Sequence, residues 1–182
     1  MRTLHKARFH TPLKTTLALL AGLATLPVAL AQAGDGGTGT SSSHARPGKA
    51  RLVHGKAIAP SNAPARVVGV IEAANRIAKG KEYCYGGGHA SFKSKCYDCS
   101  GSVSYALHGG HFLRRPEPST GLMHWGHGHR GRWITVYANA GHAYMTVAGL
   151  RFDTSMTKGA GPGWSKEMRP GAGYRKRHRG RF

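Results

Sequence analysis

Acidic side chains are scarce in this sequence. Seven Asp and Glu stand against 27 Lys and Arg, leaving a formal charge of +20. Such an imbalance points toward polyanionic partners: nucleic acid, anionic lipid, or the phosphates and carboxylates of a wall or outer surface. Aromatic residues are not interleaved with the basic ones in a stacking pattern, so nucleic acid is not expected as a partner. Long apolar runs are also lacking. Leu17 to Ala31 is apolar, but Pro27 interrupts it and it falls short of the roughly twenty residues a membrane span needs. No internal repeat, no second domain and no wall-binding module is visible. The glycines at Gly86, Gly87 and Gly88 are followed by no Lys-Ser or Lys-Thr pair, which excludes a phosphate loop. Cysteine is limited to three residues.

What is present begins with an export signal. Arg2, Lys6, Arg8 and Lys14 form a basic start without acids, the apolar run follows, and Ala31-Gln32-Ala33 has the small-x-small pattern of a cleavage site. Residues 1–33 are therefore read as a signal peptide, with an uncleaved anchor as the alternative. No Cys lies near the cleavage site, so no lipid anchor is expected. Removing the signal's four charges leaves +16 on the mature chain. Export to a periplasm, envelope or exterior also permits disulfides. Residues 34–63, rich in Gly, Ser, Ala and Pro and without hydrophobic period, read as a flexible linker.

The folded part is expected from residue 64. Asn62 or Ser61 can cap a helix in which Pro64 suits the first turn. Val67, Val70, Ile71, Ala74, Ile77 and Ala78 recur at helical steps along one face, and Gly80 ends the pattern. Arg114 to Gly121 reads as an irregular basic excursion. His124, His127 and His129 fall within six residues. Their intervening glycines and the absence of an adjacent Cys or acid favour a cleft-lining loop over a metal site, and no metal is assigned. Three strands are predicted over residues 132–137, 142–148 and 150–154, separated by a turn at Asn139-Ala140-Gly141 and a tight one at Gly149. A small antiparallel sheet packed against helices gives an α+β class. Residues 165–182 hold seven Lys or Arg and one Glu, and read as a disordered basic tail able to hold anionic envelope polymers.

The chemistry centres on Asp98-Cys99-Ser100-Gly101. Asp98 is a good N-cap for a helix whose apolar side carries Val103, Ala106 and Leu107. Cys99 then sits at the helix N-terminus, where the dipole favours thiolate over thiol. A Cys so placed becomes a nucleophile when a His reaches it; otherwise it is a small buried residue or half of a disulfide. His142 opens a strand, and Asp153 lies on the neighbouring strand across the Gly149 hairpin, where side chains on one face are about 5 Å apart. Nucleophile, base and orienter are thus available in one constellation.

These residues carry a resemblance. Asp98-Cys99-Ser100-Gly101-Ser102-Val103, Gly141-His142 at a strand start, and Tyr83-Cys84-Tyr85-Gly86-Gly87 upstream resemble the NlpC-type cell-wall endopeptidases, which are papain-like cysteine peptidases. The match covers roughly residues 64–155. It implies a papain-like peptidase domain, set here at residues 64–164, and a hydrolase cutting peptidoglycan stem peptides between D-glutamate and a diamino acid. By resemblance Cys99 is the nucleophile, His142 the base and Asp153 the third polar residue, where family members often have His one residue further on. Tyr83 corresponds to a tyrosine lining the site and aiding the oxyanion hole, and Asp98 and Ser100 to positions near the substrate. A monomer needing no cofactor is expected.

Three cysteines in an exported chain leave one unpaired. Pairing Cys84 with Cys96 staples the loop before the site and leaves Cys99 free. The alternatives are a thioredoxin-like Cys96–Cys99 redox pair, for which no surrounding βαβ pattern exists, and a basic non-catalytic wall binder with the same residues.

Overall fold

The structure is a computed structural model and describes residues 47–155 and 161–182. The expected signal peptide, the first part of the expected linker, and Met156 to Ala160 lie outside the described residues.

Helix α1 (Ala65–Ile77) buries Val67, Val70, Ile71, Ala74 and Ile77, the face that the spacing predicts. Burying each of the larger of these side chains stabilises the fold by about 1.5–3 kcal/mol. Pro64 occupies the N-cap without a side-chain bond, while Asn62 turns back to accept from the Gly48 N–H. The helix stops before Gly80, because Ala78 is already extended and Lys79 takes φ 58°. Helix α2 (Cys99–Gly109) packs on α1 at a glycine contact. A Cβ on Gly69 would lie 2.5 Å from the Gly109 carbonyl oxygen, and one on Gly109 would lie 2.3 Å from Ala73 Cβ. Only bare backbone permits the two helices to approach this closely.

The sheet is larger than the three-strand meander expected from sequence. With β1 (Arg51–Val53) and β2 (Lys56–Ile58) forming a separate hairpin, the main sheet comprises β3 (His127–Gly128), β4 (Ile134–Ala138), β5 (Ala143–Val147), β6 (Leu150–Asp153), β7 (Gly163–Ser165) and β8 (Arg175–His178). All neighbours are antiparallel, in the order β3-β8-β4-β5-β6-β7. A short helix, α3 (Ser119–Leu122), begins within the expected irregular excursion, runs one residue past its end and buries Leu122. The α+β class therefore stands, with two main helices against an antiparallel sheet.

Two boundaries are corrected. The expected linker, residues 34–63, contains the β1–β2 hairpin. Its turn is His54-Gly55, both at positive φ (48° and 80°), the geometry that two-residue hairpins require. Asn75 of α1 anchors it, accepting from the Ala57 N–H at 2.9 Å and donating to the Ala57 carbonyl at 2.8 Å. The same amide oxygen accepts from Trp164 Nε1 at 2.9 Å, so one polar side chain ties hairpin, helix and β7 together. The second correction concerns residues 165–182, expected to be a disordered tail. Arg175 to His178 instead fill the sheet between β3 and β4. Backbone pairing needs no apolar side chain, so a strand between two others forms from a run of Arg and Lys. His127–Gly128, expected as a cleft-lining loop, is the short edge strand beside it.

Strand β4 is buried along its whole length, which fits its aromatic and β-branched composition. On one face are the helices. On the other, Tyr137 stacks on Tyr144 with ring centroids 4.6 Å apart, and Gly171, Arg169 and Tyr174 of the C-terminal segment lie against these rings.

Candidate active site

The start of α2 is fixed before any chemistry is considered. Asp98 caps it, Oδ1 accepting from the Gly101 N–H at 2.7 Å. Oδ2 accepts from the Gly86 N–H at 3.2 Å, and the Asp98 N–H donates to the Gly87 carbonyl at 3.0 Å. The glycine loop is thereby laid on the helix start, with Gly86 and Gly88 at positive φ (73° and 83°). Gly101 has to be glycine, because its Cβ would fall 2.0 Å from the Gly87 oxygen and 3.1 Å from Gly88 Cα. Backbone opposes backbone there, so neither side can yield cheaply. Gly101→Ala is expected to cost about 3 kcal/mol by overpacking, a fall of roughly 6–12 °C in Tm. Thermal unfolding followed by circular dichroism checks this.

Cys84 and Cys96 form a disulfide that closes the loop around these glycines, and Cys99 is free. This removes the Cys96–Cys99 redox alternative, since Cys96 already has a partner. The Cys99 side chain is buried, at 8 % exposure.

His142 is delivered by the turn before β5. Asn139 Oδ1 accepts from the Gly141 and His142 N–H groups at 3.0 and 2.8 Å, which sets the strand start. Its Nε2 lies 2.9 Å from Asp153 Oδ1. Cys99 of α2 acts on the same ring. Burial pulls the ring's pKa down, but the bond to Asp153, the interaction with Cys99 and the negative charges of both outweigh it and raise the value to about 9. Imidazole and carboxylate are therefore in direct contact, and the Cys99 thiol acts on the same ring.

Asp153 is fully buried. Burial pushes its pKa up, but the bond and charge of His142, together with the N–H and hydroxyl of Ser155, hold it below the usual value. Oδ1 also accepts from the Thr154 and Ser155 N–H groups at 2.7 and 3.1 Å, and Oδ2 from Ser155 Oγ at 3.0 Å. Arg169 Nη1 reaches Oδ2 at 3.2 Å and Ser155 Oγ at 2.9 Å. Arg151 Nε lies 3.7 Å from Oδ2, an ion pair beyond hydrogen-bond reach.

The remaining expected site residues divide. Tyr83 is 43 % exposed and joins Tyr97 by a parallel bridge. Partial burial raises its pKa, as do the charges of Cys99 and Asp98, so it stays a neutral O–H donor. Asp98 and Ser100 are buried at 4 % and 2 % exposure and are bonded to each other. Above both lies His89, its Nε2 2.8 Å from Asp98 Oδ2 and 2.9 Å from Ser100 Oγ. His89 received no role from sequence, although it directly follows the glycine loop. Arg169 and Tyr174 were also missed, since both fall in the expected tail. Among the described residues, no group of three or more His, Cys, Asp or Glu is placed to hold a metal ion. No helix among them is long and apolar enough to cross a membrane.

No protein-family model matches the sequence, and no curated protein matches it. Among solved structures, the chain is similar to the peptidoglycan hydrolase RipB of Mycobacterium tuberculosis, with TM-score 0.49 and 23 % identity over 66 % of this chain and 68 % of that one. It is also similar to the P60 domain of an antigen from M. avium subspecies paratuberculosis, with TM-score 0.46 and 19 % identity over 62 % of this chain and 93 % of that one. A third is RipD of M. tuberculosis, described as a non-catalytic NlpC/p60 domain protein adapted to peptidoglycan binding. It has TM-score 0.46 and 17 % identity over 63 % of this chain and 98 % of that one. These are likenesses of backbone course, and the chemistry has to come from this chain's own side chains.

Proposed function

We propose that this protein is an exported cysteine peptidase of the papain-like kind, hydrolysing the stem peptides of peptidoglycan at a D-glutamyl–diamino acid bond. The observation that carries the reading is the His142 ring, bonded at 2.9 Å to a buried carboxylate and acted on by the one free cysteine, which stands at the capped start of α2. Asp153 takes Nε2, which leaves Nδ1 for the thiol. Cys99 gives its proton to His142 and attacks the amide carbon. The C–N bond breaks as His142 returns that proton to the leaving amine. His142 then takes a proton from water, the hydroxide attacks the thioester, and the sulfur leaves as thiolate. Asp98 occupies the Gly101 N–H with its carboxylate and the Ser102 N–H with its carbonyl. The first-turn donors left for the oxyanion are therefore those of Cys99 and Ser100, aided by the Tyr83 hydroxyl.

The stem-peptide substrate is supported by the motif resemblance around Cys99, His142 and Tyr83, and by the mature chain's charge of +16, which concentrates it on an anionic wall. The domain order proposed is a signal over residues 1–33, then a folded peptidase module that includes the β1–β2 hairpin and ends with β8, acting in the envelope or outside the cell as a monomer. The burial of Cys99 favours a second reading, a basic wall binder without catalysis. Digesting purified peptidoglycan separates the two. New amino termini must appear with the native chain and stop once Cys99 is alkylated; equal release before and after alkylation would sink the peptidase reading.

A further inference from the structure

Asp153 has more donors than a simple orienter of His142 requires, and one of them comes from far along the chain. Arg169 lies in the segment between β7 and β8. Its Nη1 bonds both Asp153 Oδ2 and Ser155 Oγ, at 3.2 and 2.9 Å. The guanidinium is set between two aromatic faces, its carbon 5.3 Å from the Tyr144 ring centroid and 5.5 Å from that of Tyr174. Those rings meet edge-on at 5.2 Å, and both lie 6.4 Å from the His142 ring. An arginine stacked this way has few rotamers left to lose when it forms its bonds. The carboxylate it holds is fully buried, where a charge-assisted bond is strong and its loss is costly.

We infer that Arg169 is a positioning residue for the Cys99–His142–Asp153 site: it fixes the Asp153 carboxylate in the rotamer that meets His142, and so makes the C-terminal segment part of the working site. This rests on the peptidase reading for its kinetic consequence, but not for its electrostatic one. The charged and titratable groups around the His142 ring are Cys99 of α2, Tyr144 of β5, Asp153 and Arg151 of β6, and Arg169 and Tyr174 of the C-terminal segment. Arg169 shares its carboxylate with His142, so its charge opposes an imidazolium while its bond orients the acceptor.

The test uses the full mature chain with 15N-labelled histidine, and assigns the His142 signal by its loss in His142→Gln. In Arg169→Gln the imidazole midpoint should rise by about half a unit as the like charge is removed. On a soluble stem peptide kcat should fall about tenfold with KM within twofold, since the substrate-contacting groups are untouched. Arg169→Lys keeps the charge but not the planar fork, so its midpoint should stay native and its kcat fall only about threefold. If Arg169→Gln loses stability, both readings are taken on folded protein below its melting midpoint, and Arg169→Lys still supplies the contrast. A native midpoint in Arg169→Gln overturns the inference whether or not kcat falls, and so does a shifted midpoint with native kcat. A native chain that cuts no stem peptide ends the peptidase reading instead, and the imidazole midpoints still decide whether Arg169 is coupled to His142.

Discussion

Cys99→Ala is expected to release no stem fragments from purified peptidoglycan, a loss of about 10⁴-fold or more, while still sedimenting with the wall as the native chain does. The loss is large because nothing nearby can replace the sulfur. Cys84 and Cys96 are bonded to each other, and Ser100, the adjacent hydroxyl, is engaged by Asp98 and His89. What survives is whatever the oxyanion donors achieve with water as the nucleophile. Binding should persist because the substitution leaves the chain's formal charge of +20 unchanged. Nor should folding suffer much. The cap at α2 is made by Asp98, and truncating one small buried side chain costs about 1 kcal/mol. Fragment release measured beside wall sedimentation therefore separates catalysis from adhesion in one preparation. A Cys99→Ala protein that digests the wall as fast as the native chain would end the cysteine-peptidase reading, whereas a native chain that sediments with the wall and releases nothing would favour the binder.

The parts of this site legible in the sequence are those whose signal is local. Asp98 before Cys99 is a capping pattern within one turn, and the apolar period of Val67 to Ile77 lies within one helix. His142 and Asp153 were legible because a single tight hairpin, with Ala148 and Gly149 both at positive φ, joins β5 to β6. Continuing that register sets Asp153 opposite Tyr144, with His142 one diagonal further on. What the sequence hid was non-local. Arg175 to His178 carry no strand signature of their own, and their place depends on the free edges of β3 and β4. Charge density alone therefore reads as disorder, and that reading concealed Arg169 and Tyr174. The β1–β2 hairpin was hidden differently. Its turn is His-Gly where Asn-Gly or Asp-Gly is the usual signal, and its anchor is the amide of Asn75, eighteen residues on from Ala57.

Removing the negative charge of Asp153 should lower the rate and move the pH profile, and two substitutions should do so differently. In Asp153→Asn the Thr154 and Ser155 N–H groups still demand an acceptor at the Oδ1 position, so the amide oxygen is held there and His142 keeps its orientation. The amide nitrogen then faces Arg169, donor against donor, and the charge that held His142 near 9 is gone. The expected result is a kcat loss of about tenfold, with the alkaline limb of kcat/KM moved down from about 9 toward the ordinary 6.5. Asp153→Ala removes the acceptor as well, frees the ring to turn, and should cost about 10²–10³-fold. Stability follows the same sign. A His whose pKa is raised on folding contributes fully below about 6.5, and that contribution is lost as pH rises through about 9. The native melting temperature should therefore fall across that window, and the fall should be smaller in Asp153→Asn. Rates on a soluble stem peptide between pH 5 and 10, with melting curves over the same range, make the comparison. An alkaline limb that stays in place in Asp153→Asn would mean that the carboxylate's charge does not set the ionisation of His142.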